Sequence, residues 1–468
     1  MGSVRTIVFP SESLDKQTLT KTCQLMKSSF LVYLCILKLK HFSIRIFPIF
    51  MLIDMLCSCR DGAGNQGQMQ LEVETPETQV VDMNNEHPVE VNTMPVVEIL
   101  NTSNNNGTLQ IDFRVSDDDS NIQMEVWGYD QSEEELRNIT EQTSGSVGAI
   151  ETDQDLQIAI DISNANFSYF QLRAKDNFEP ALADVLDLVS EKRIENDISM
   201  MEGTRHFRSG VELLSQTRGY IKDQYALCGV ASAEHRFNRS GEIGVNIIGS
   251  IEGISHNPPR MLIIGHYDTI ETTPGADDNA SGTAGVLEAM RILSQFSFEY
   301  TIDFIALDME ELGLVGSKRY VAEIAKDQNI LGVINFEMIG YTCTMEECAH
   351  LPLANSRIYN IASVFATDLQ NTFSSIGADY VPELTIQNTV DDGNPNFRRS
   401  DHAPFWDAGI PALFITDGAN FRNPHYHQTT DELQTLDLVY ATRIVKTAVG
   451  TVASLSNISH QGVATIEM

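Results

Sequence analysis

Between Pro95 and Lys175 the apolar residues come in short bursts. Val96–Leu100, Leu109–Val115, Ile122–Tyr129, Leu156–Ile162 and Tyr169–Lys175 alternate apolar with polar positions in part, and clusters of Asn, Gly, Asp and Ser separate them. A period of two marks a strand with one buried face, so this spacing predicts a small all-β sandwich over residues 94–180. No chemical motif falls within it, and a spacer or interaction module is the simplest reading. From Asp184 the period lengthens. Val185–Ile194 and Arg208–Tyr225 have helical spacing. Apolar strands then alternate with helices: strands Val245–Gly249 and Met261–Gly265, helix Ser281–Gln295, strand Thr301–Asp308, helix Ser317–Lys326, strand Leu331–Glu337, helix Ser356–Phe373, strand Pro411–Thr416 and helix Leu436–Leu455. Such alternation predicts an α/β domain over residues 184–468, with a mostly parallel or mixed central sheet and helices on both faces.

The first 59 residues follow neither pattern. Phe30–Leu37 and Ile46–Ile53 are apolar runs parted by Lys38, Lys40, His41 and Arg45. Both are shorter than the roughly 18 residues of a membrane helix, so no transmembrane span is expected. A cationic stretch followed by an apolar one describes an export signal. It ends Leu56-Cys57-Ser58-Cys59, which resembles a lipoprotein cleavage box with Cys59 as the lipidated residue. Met26 and Met51 are alternative starts. The expected location is outside the cytoplasm: extracellular, periplasmic or on the outer surface. Residues 60–93, rich in Gly, Gln, Asn, Glu and Thr, read as a tether.

Composition narrows the function. The 468 residues are 42% apolar and 21% charged, with a formal charge of −34. Without residues 1–58 the balance is 24 Lys/Arg against 62 Asp/Glu, or −38. Nucleic acid and anionic membranes reward the opposite sign and are excluded as partners. Past residue 58 only Cys59, Cys228, Cys343 and Cys348 remain, too few for a disulfide framework. Cys343 and Cys348 are close enough to bridge, or are two separate thiols.

The chemistry gathers at the ends of expected strands, where ligands of open α/β sheets collect. Met261–Gly265 runs into His266-Tyr267-Asp268. Next comes Gly275-Ala276-Asp277-Asp278-Asn279-Ala280-Ser281-Gly282, just before a helix; Asn279 or Ser281 could be an ordinary cap, but two adjacent acids also suit a metal site. Thr301–Asp308 leads into Met309-Glu310-Glu311, and Leu331–Glu337 into Met338-Ile339-Gly340. A polar loop follows, Asn423-Pro424-His425-Tyr426-His427. Each motif alone is commonplace. Together they place His and carboxylate groups, without thiolate, on successive loops of one sheet, which suits a catalytic zinc site. There is no Walker loop, and no GxGxxG motif opens a helix, so nucleotide chemistry lacks support.

The order and wording of these motifs resemble the di-zinc aminopeptidase family, with glutamate carboxypeptidase II and glutaminyl cyclase as relatives. The matching runs are His266-x-Asp268, Asp277-Asp278-Asn279-x-Ser281-Gly282, Glu310-Glu311-x-Gly313-Leu314-x-Gly316-Ser317, Glu337-Met338-Ile339-Gly340, Ser400-Asp401-His402-x-Pro404-Phe405 and Tyr426-His427-x-x-x-Asp431, with Gly203–His206 and Asn246–Gly249 outside the site. The resemblance spans roughly residues 190–460. It implies peptides as substrates and two zinc ions, one being the alternative. His266 and Glu337 would hold the first zinc, Glu311 and His427 the second, and Asp278 would bridge them. Asp268 would orient His266, Glu310 would be general base and then acid, and Tyr426 would steady the oxyanion. Ser400, Asp401 and His402 would line the pocket. Many members carry aspartate where this chain has Glu337. The implied activity is a metallo-exopeptidase, foremost an aminopeptidase. A cyclase or carboxypeptidase on the same scaffold, and a degenerate binding protein, are the alternatives.

Overall fold

A computed structural model describes residues 94–467, apart from 106, 118–121, 132–134, 164–166, 176–179 and 344–354. The leader, the tether, Cys59 and Cys348 lie outside the described residues. Cys343 is disulfide-bonded. Among the described residues no helix is long and apolar enough to cross a membrane.

The larger sheet has eight strands in the order Ile386–Val390, Ile358–Ala362, Ala412–Thr416, Ile330–Glu337, Arg260–His266, Thr301–Leu307, Glu242–Ile251 and Ala231–Arg239. The four central strands, from Ala412–Thr416 to Thr301–Leu307, run parallel. Antiparallel strands flank them. Alternate residues of the central strands face opposite layers, as the pleat requires. Met261, Ile263, Ile302, Phe304, Ile334 and Phe336 enter one apolar cluster. Leu262, Ile264, Ile305, Leu307 and Val333 enter the other. Helices Gly282–Leu293 and Leu438–Leu455 cover the first face, and Val315–Glu323 and His402–Asp407 the second. Every residue of Gly282–Leu293 is buried, so the helix is locked against the sheet that carries the site.

The segment Ser356–Phe373, expected as one helix, is strand Ile358–Ala362 followed by helix Thr367–Tyr380. Asn360 accounts for the change. Its side chain donates to Asn388 Oδ1 at 3.0 Å, its carbonyl accepts from Gln370 at 2.6 Å, and pairing with Ile386–Val390 satisfies the backbone. The helix expected over Val185–Ile194 is two helices, Leu182–Asp187 and Glu191–Met201, with Ser190 capping the second.

Residues 96–175 form two packed antiparallel sheets. One runs Val96–Asn105, Thr108–Ser116, Asp155–Asp161, Thr143–Gly145. Leu109, Ile111, Phe113, Val115, Ile122, Met124 and Val126 alternate inward to a shared core. The second sheet contains a strand from the far end of the chain. Gln461–Glu467 pairs antiparallel with Phe167–Lys175 and brings Ile466 into that core. The expected division at residue 184 therefore needs correction: the last strand leaves the α/β layer and completes the sandwich.

Candidate functional site

Strand Arg260–His266 is flanked on one side by Thr301–Leu307 and on the other by Ile330–Glu337. The chain leaves the first strand for one neighbour and later returns to the other. That reversal opens a crevice at the carboxyl ends of the three strands. His266 is the last residue of the first strand and Glu337 the last of the third; Glu310 and Glu311 follow the second by a few residues. The turns out of the sheet are sharp. Met309, Met338 and His427 have φ of 58°, 53° and 58°, in the left-handed region that side chains rarely adopt. Surrounding packing must hold each of them there.

The side chains converge. His266 Nε2 lies 3.4 Å from Asp278 Oδ1 and 3.4 Å from Glu337 Oε2. His427 Nε2 lies 3.1 Å from Asp278 Oδ2 and 3.3 Å from Glu311 Oε2. Asp278 thus turns one oxygen to each imidazole. His266, Glu310 and Glu337 offer atoms within 4.8 Å of one another, as do Asp278, Glu311 and His427. Tyr426 stacks on His427 with 3.8 Å between ring centroids. Seven of the eight side chains expected to bind metal or act in catalysis therefore meet in one place, and the eighth is Asp268.

Asp268 stands behind this ring. Its Oδ1 accepts the Glu310 amide at 3.0 Å, its Oδ2 accepts the Glu311 amide at 3.3 Å, and Oδ1 is 3.4 Å from His266 Nδ1. One carboxylate thus sets the aim of an imidazole and of two glutamates. Ser400 donates to Glu337 Oε2 at 2.6 Å and accepts from Asn335 at 2.8 Å, fixing the longer acid. Asp401 is wholly buried beside the cluster. His402 faces away, its Nε2 on the Phe397 carbonyl at 2.7 Å and its ring stacked on Phe414.

Several supports were not assigned from sequence. Asp277 points away from the crevice, accepting the Gly340 amide at 2.9 Å and the Asn423 side chain at 2.7 Å. Asp431 accepts the amides of Asp277 and Asp278 at 2.9 and 3.1 Å. Arg205 is completely buried. It donates to the carbonyls of Tyr267, Met201, Gly203, Pro274 and Gly275 at 2.5 to 3.0 Å, binding the loop after His266 to the loop before Asp278. Gly275, at φ 64°, makes room for it: a Cβ there would stand 3.0 Å from the guanidinium and 2.4 Å from Thr269. The run Gly203–His206 was the available signal.

The electrostatics follow from packing acids around two imidazoles. Burial works against the charged form of His427, yet the Asp278 and Glu311 carboxylates beside its Nε2 push it up to about 10. Burial raises Glu311 to about 7, with the Asp278 charge adding to it. Burial also raises Glu310 well above the carboxylate range. Against the effect of burial, the two imidazoles draw Asp278 below that range. Without a cation the cluster shares protons. The Nε2 atoms of His266 and His427 and Oε1 of Glu311 are buried and have no hydrogen-bond partner. Buried polar atoms of this kind call for a ligand, and imidazole with carboxylate is a donor set that fits zinc.

Comparisons with known proteins cover the stretch of chain that builds this crevice. Residues 246–452 match the model of peptidase family M28. The chain is 33% identical to leupeptin-inactivating enzyme 1 of Streptomyces exfoliatus over 207 residues, 43% of this chain and 42% of that protein. It is 30% identical to aminopeptidase YwaD of Bacillus subtilis over 200 residues, 40% of each chain. It thus spans about two fifths of the length of these relatives. The crystal structure of LapA from Legionella pneumophila superposes with a TM-score of 0.51 at 18% identity, covering 72% of this chain and 99% of that one, a likeness of fold. All eight side chains fall inside the span that matches the model of peptidase family M28.

Proposed function

We propose that this chain is a zinc-dependent exopeptidase that cleaves the N-terminal bond of peptides. The observation that carries the reading is Asp278, whose two oxygens face two different imidazoles at 3.4 and 3.1 Å while both Nε2 atoms lack hydrogen-bond partners. His266 and Glu337 would hold one zinc, Glu311 and His427 a second, with Asp278 between them. Bound zinc lowers the pKa of water and polarises the substrate carbonyl.

The remaining chemistry belongs to the chain. Glu310 is left without a ligand role once Asp278 is shared, and it sits in the same 4.8 Å group as His266 and Glu337. Its raised pKa suits a carboxylate that takes a proton from water and returns it to the leaving amine. Asp268 holds the Glu310 amide and so fixes where that carboxylate starts. Tyr426, stacked on His427, presents a phenol whose O–H can donate to the oxyanion. The buried acids give the substrate's ammonium group a complementary wall, which favours a free N-terminus.

The test is hydrolysis of a panel of L-aminoacyl chromogenic substrates by the full chain, before and after chelation and zinc return. Activity should vanish with chelator and return with zinc, and Glu310→Gln should keep zinc but lose about 10²–10⁴ in turnover. Silence across the panel with zinc bound would sink the aminopeptidase reading.

A further inference from the structure

We propose that Arg399 is a specificity-determining residue: its guanidinium receives a carboxylate carried by the residue after the scissile bond, above all the free C-terminal carboxylate of a dipeptide. This rests on the exopeptidase reading above. Arg399 lies on the turn just before Ser400, the residue that fixes Glu337. It is exposed at the edge of the site. Its Nη1 donates to Asn420 Oδ1 at 2.9 Å and its Nη2 to the Tyr426 hydroxyl at 3.2 Å. Tyr426 in turn stacks on His427. The cation is therefore held in register with the metal-binding face by one phenol.

Those two bonds use two of the five N–H donors of an arginine. No carboxylate among the described residues pairs with Arg399, whereas its neighbour Arg398 is committed to Asp407 and reaches Asp391 at 3.8 Å. The interior beside it is acidic: Asp278, Glu310, Glu311, Glu337 and Asp401 are all buried or nearly so. At this edge the guanidinium offers a substrate carboxylate an opposite charge.

Covalent geometry selects the second residue. An oxyanion accepting from the Tyr426 hydroxyl stands about 2.7 Å from it. The carboxyl carbon of the next residue lies about 4 Å from that oxygen, by standard bond lengths. The guanidinium is 3.2 Å from the same hydroxyl, so a dipeptide carboxylate falls within its reach. Each further residue carries a terminal carboxylate about 3.5 Å onward.

The test compares kcat/KM for Leu-Gly, Leu-Gly amide and Leu-Asp amide in the zinc-loaded full chain and in Arg399→Gln and Arg399→Lys. The parent should favour Leu-Gly over its amide by about tenfold, the lower end for a charge-assisted bond at an exposed site. Arg399→Gln should bring that ratio near one. Arg399→Lys should keep part of it, as a point charge without the planar fork. A preference for Leu-Asp amide over Leu-Gly amide would assign the guanidinium to side-chain carboxylates. If the ratio survives in Arg399→Gln, or all three rates fall by one common factor, Arg399 only steadies Tyr426 and the inference is overturned. Calorimetric binding of the same peptides to Glu310→Gln, with and without Arg399→Gln, reads the preference without turnover. A parent that cleaves none of the three sinks the exopeptidase reading, while the binding ratio still decides Arg399.

Discussion

Asp268→Asn removes one charge and changes almost no volume, which makes it a sharp probe of how the crevice is held. Asp268 is 4% exposed, and its two oxygens serve three neighbours. Oδ1 accepts from the Glu310 amide at 3.0 Å and lies 3.4 Å from His266 Nδ1; Oδ2 accepts from the Glu311 amide at 3.3 Å. An asparagine has one acceptor end and one donor end. Whichever way it flips, its NH₂ meets a buried backbone N–H. That amide then lacks an acceptor, at about 1–3 kcal/mol, and the surviving bond loses its charge, at about 1 kcal/mol. The variant should be about 2–4 kcal/mol less stable without metal. His266 keeps a contact from Nδ1 to the Asp268 carbonyl at 3.2 Å, so the ring is loosened and not released. Outer partners of this type are worth 10–100-fold in metal affinity. Denaturant midpoints of the chelated protein and zinc titration against a competing chelator read the two effects separately. A midpoint that does not move, together with zinc affinity within threefold of the parent, would refute the view that this carboxylate aims the site.

Arg205→Met should strip five carbonyl partners from a buried position, cost about 3 kcal/mol or more, and speed amide exchange at residues 276–281, because Pro274 and Gly275 lose their anchor; an unchanged exchange pattern would count against a positioning role. For pH, the sign follows from which state holds more protons. In the metal-free protein Glu311 is raised to about 7 and His427 to about 10, so between about pH 4.5 and 10 the folded state holds protons that the unfolded state has released. Their contribution to stability is full in acid and is lost as pH rises through those values. Zinc binding must displace the same protons, so the melting temperature gap between zinc-loaded and chelated protein should widen from pH 5 to pH 9; a constant gap would refute the proton inventory. Deleting residues 461–468 should unpair the edge of Phe167–Lys175 and lower a sandwich transition in calorimetry while leaving zinc affinity intact; a single unshifted transition would show that the strand contributes nothing.

The candidate site was legible because its chemistry is local to strand ends. His266, Glu310, Glu311 and Glu337 each close or follow an apolar strand, and an acid in that setting needs a partner that the pattern itself announces. What stayed hidden depends on contacts between distant segments. Asp277 and Asp278 are adjacent in sequence, yet only one faces the crevice. Gly340 and Asn423 capture the other, and Asp431, 154 residues onward, takes its amide. Arg205 reads as one more arginine until five carbonyls from three segments surround it. Ser356–Phe373 has helical apolar spacing, but tertiary pairing of Asn360 with Gln370 and Asn388 overrides it. The last strand, Gln461–Glu467, alternates weakly, and its partner lies in the first half of the chain.

That returning strand bears on what the sandwich can do. It meets the α/β layer through the turn between Glu242–Ile251 and Arg260–His266. Gln171 and Arg173 both donate to the Ile254 carbonyl at 3.0 Å, and Tyr169 bonds His256 at 2.9 Å with Tyr129 stacked on the same ring. Ile254 and His256 precede the amino end of Arg260–His266, and His266 is its carboxyl end. Seven extended residues separate the two by about 20 Å. The sandwich therefore docks at the opposite end of the strand from the candidate metal site. Substitutions along its seam should act through stability and leave the carboxylate preference assigned to Arg399 unchanged.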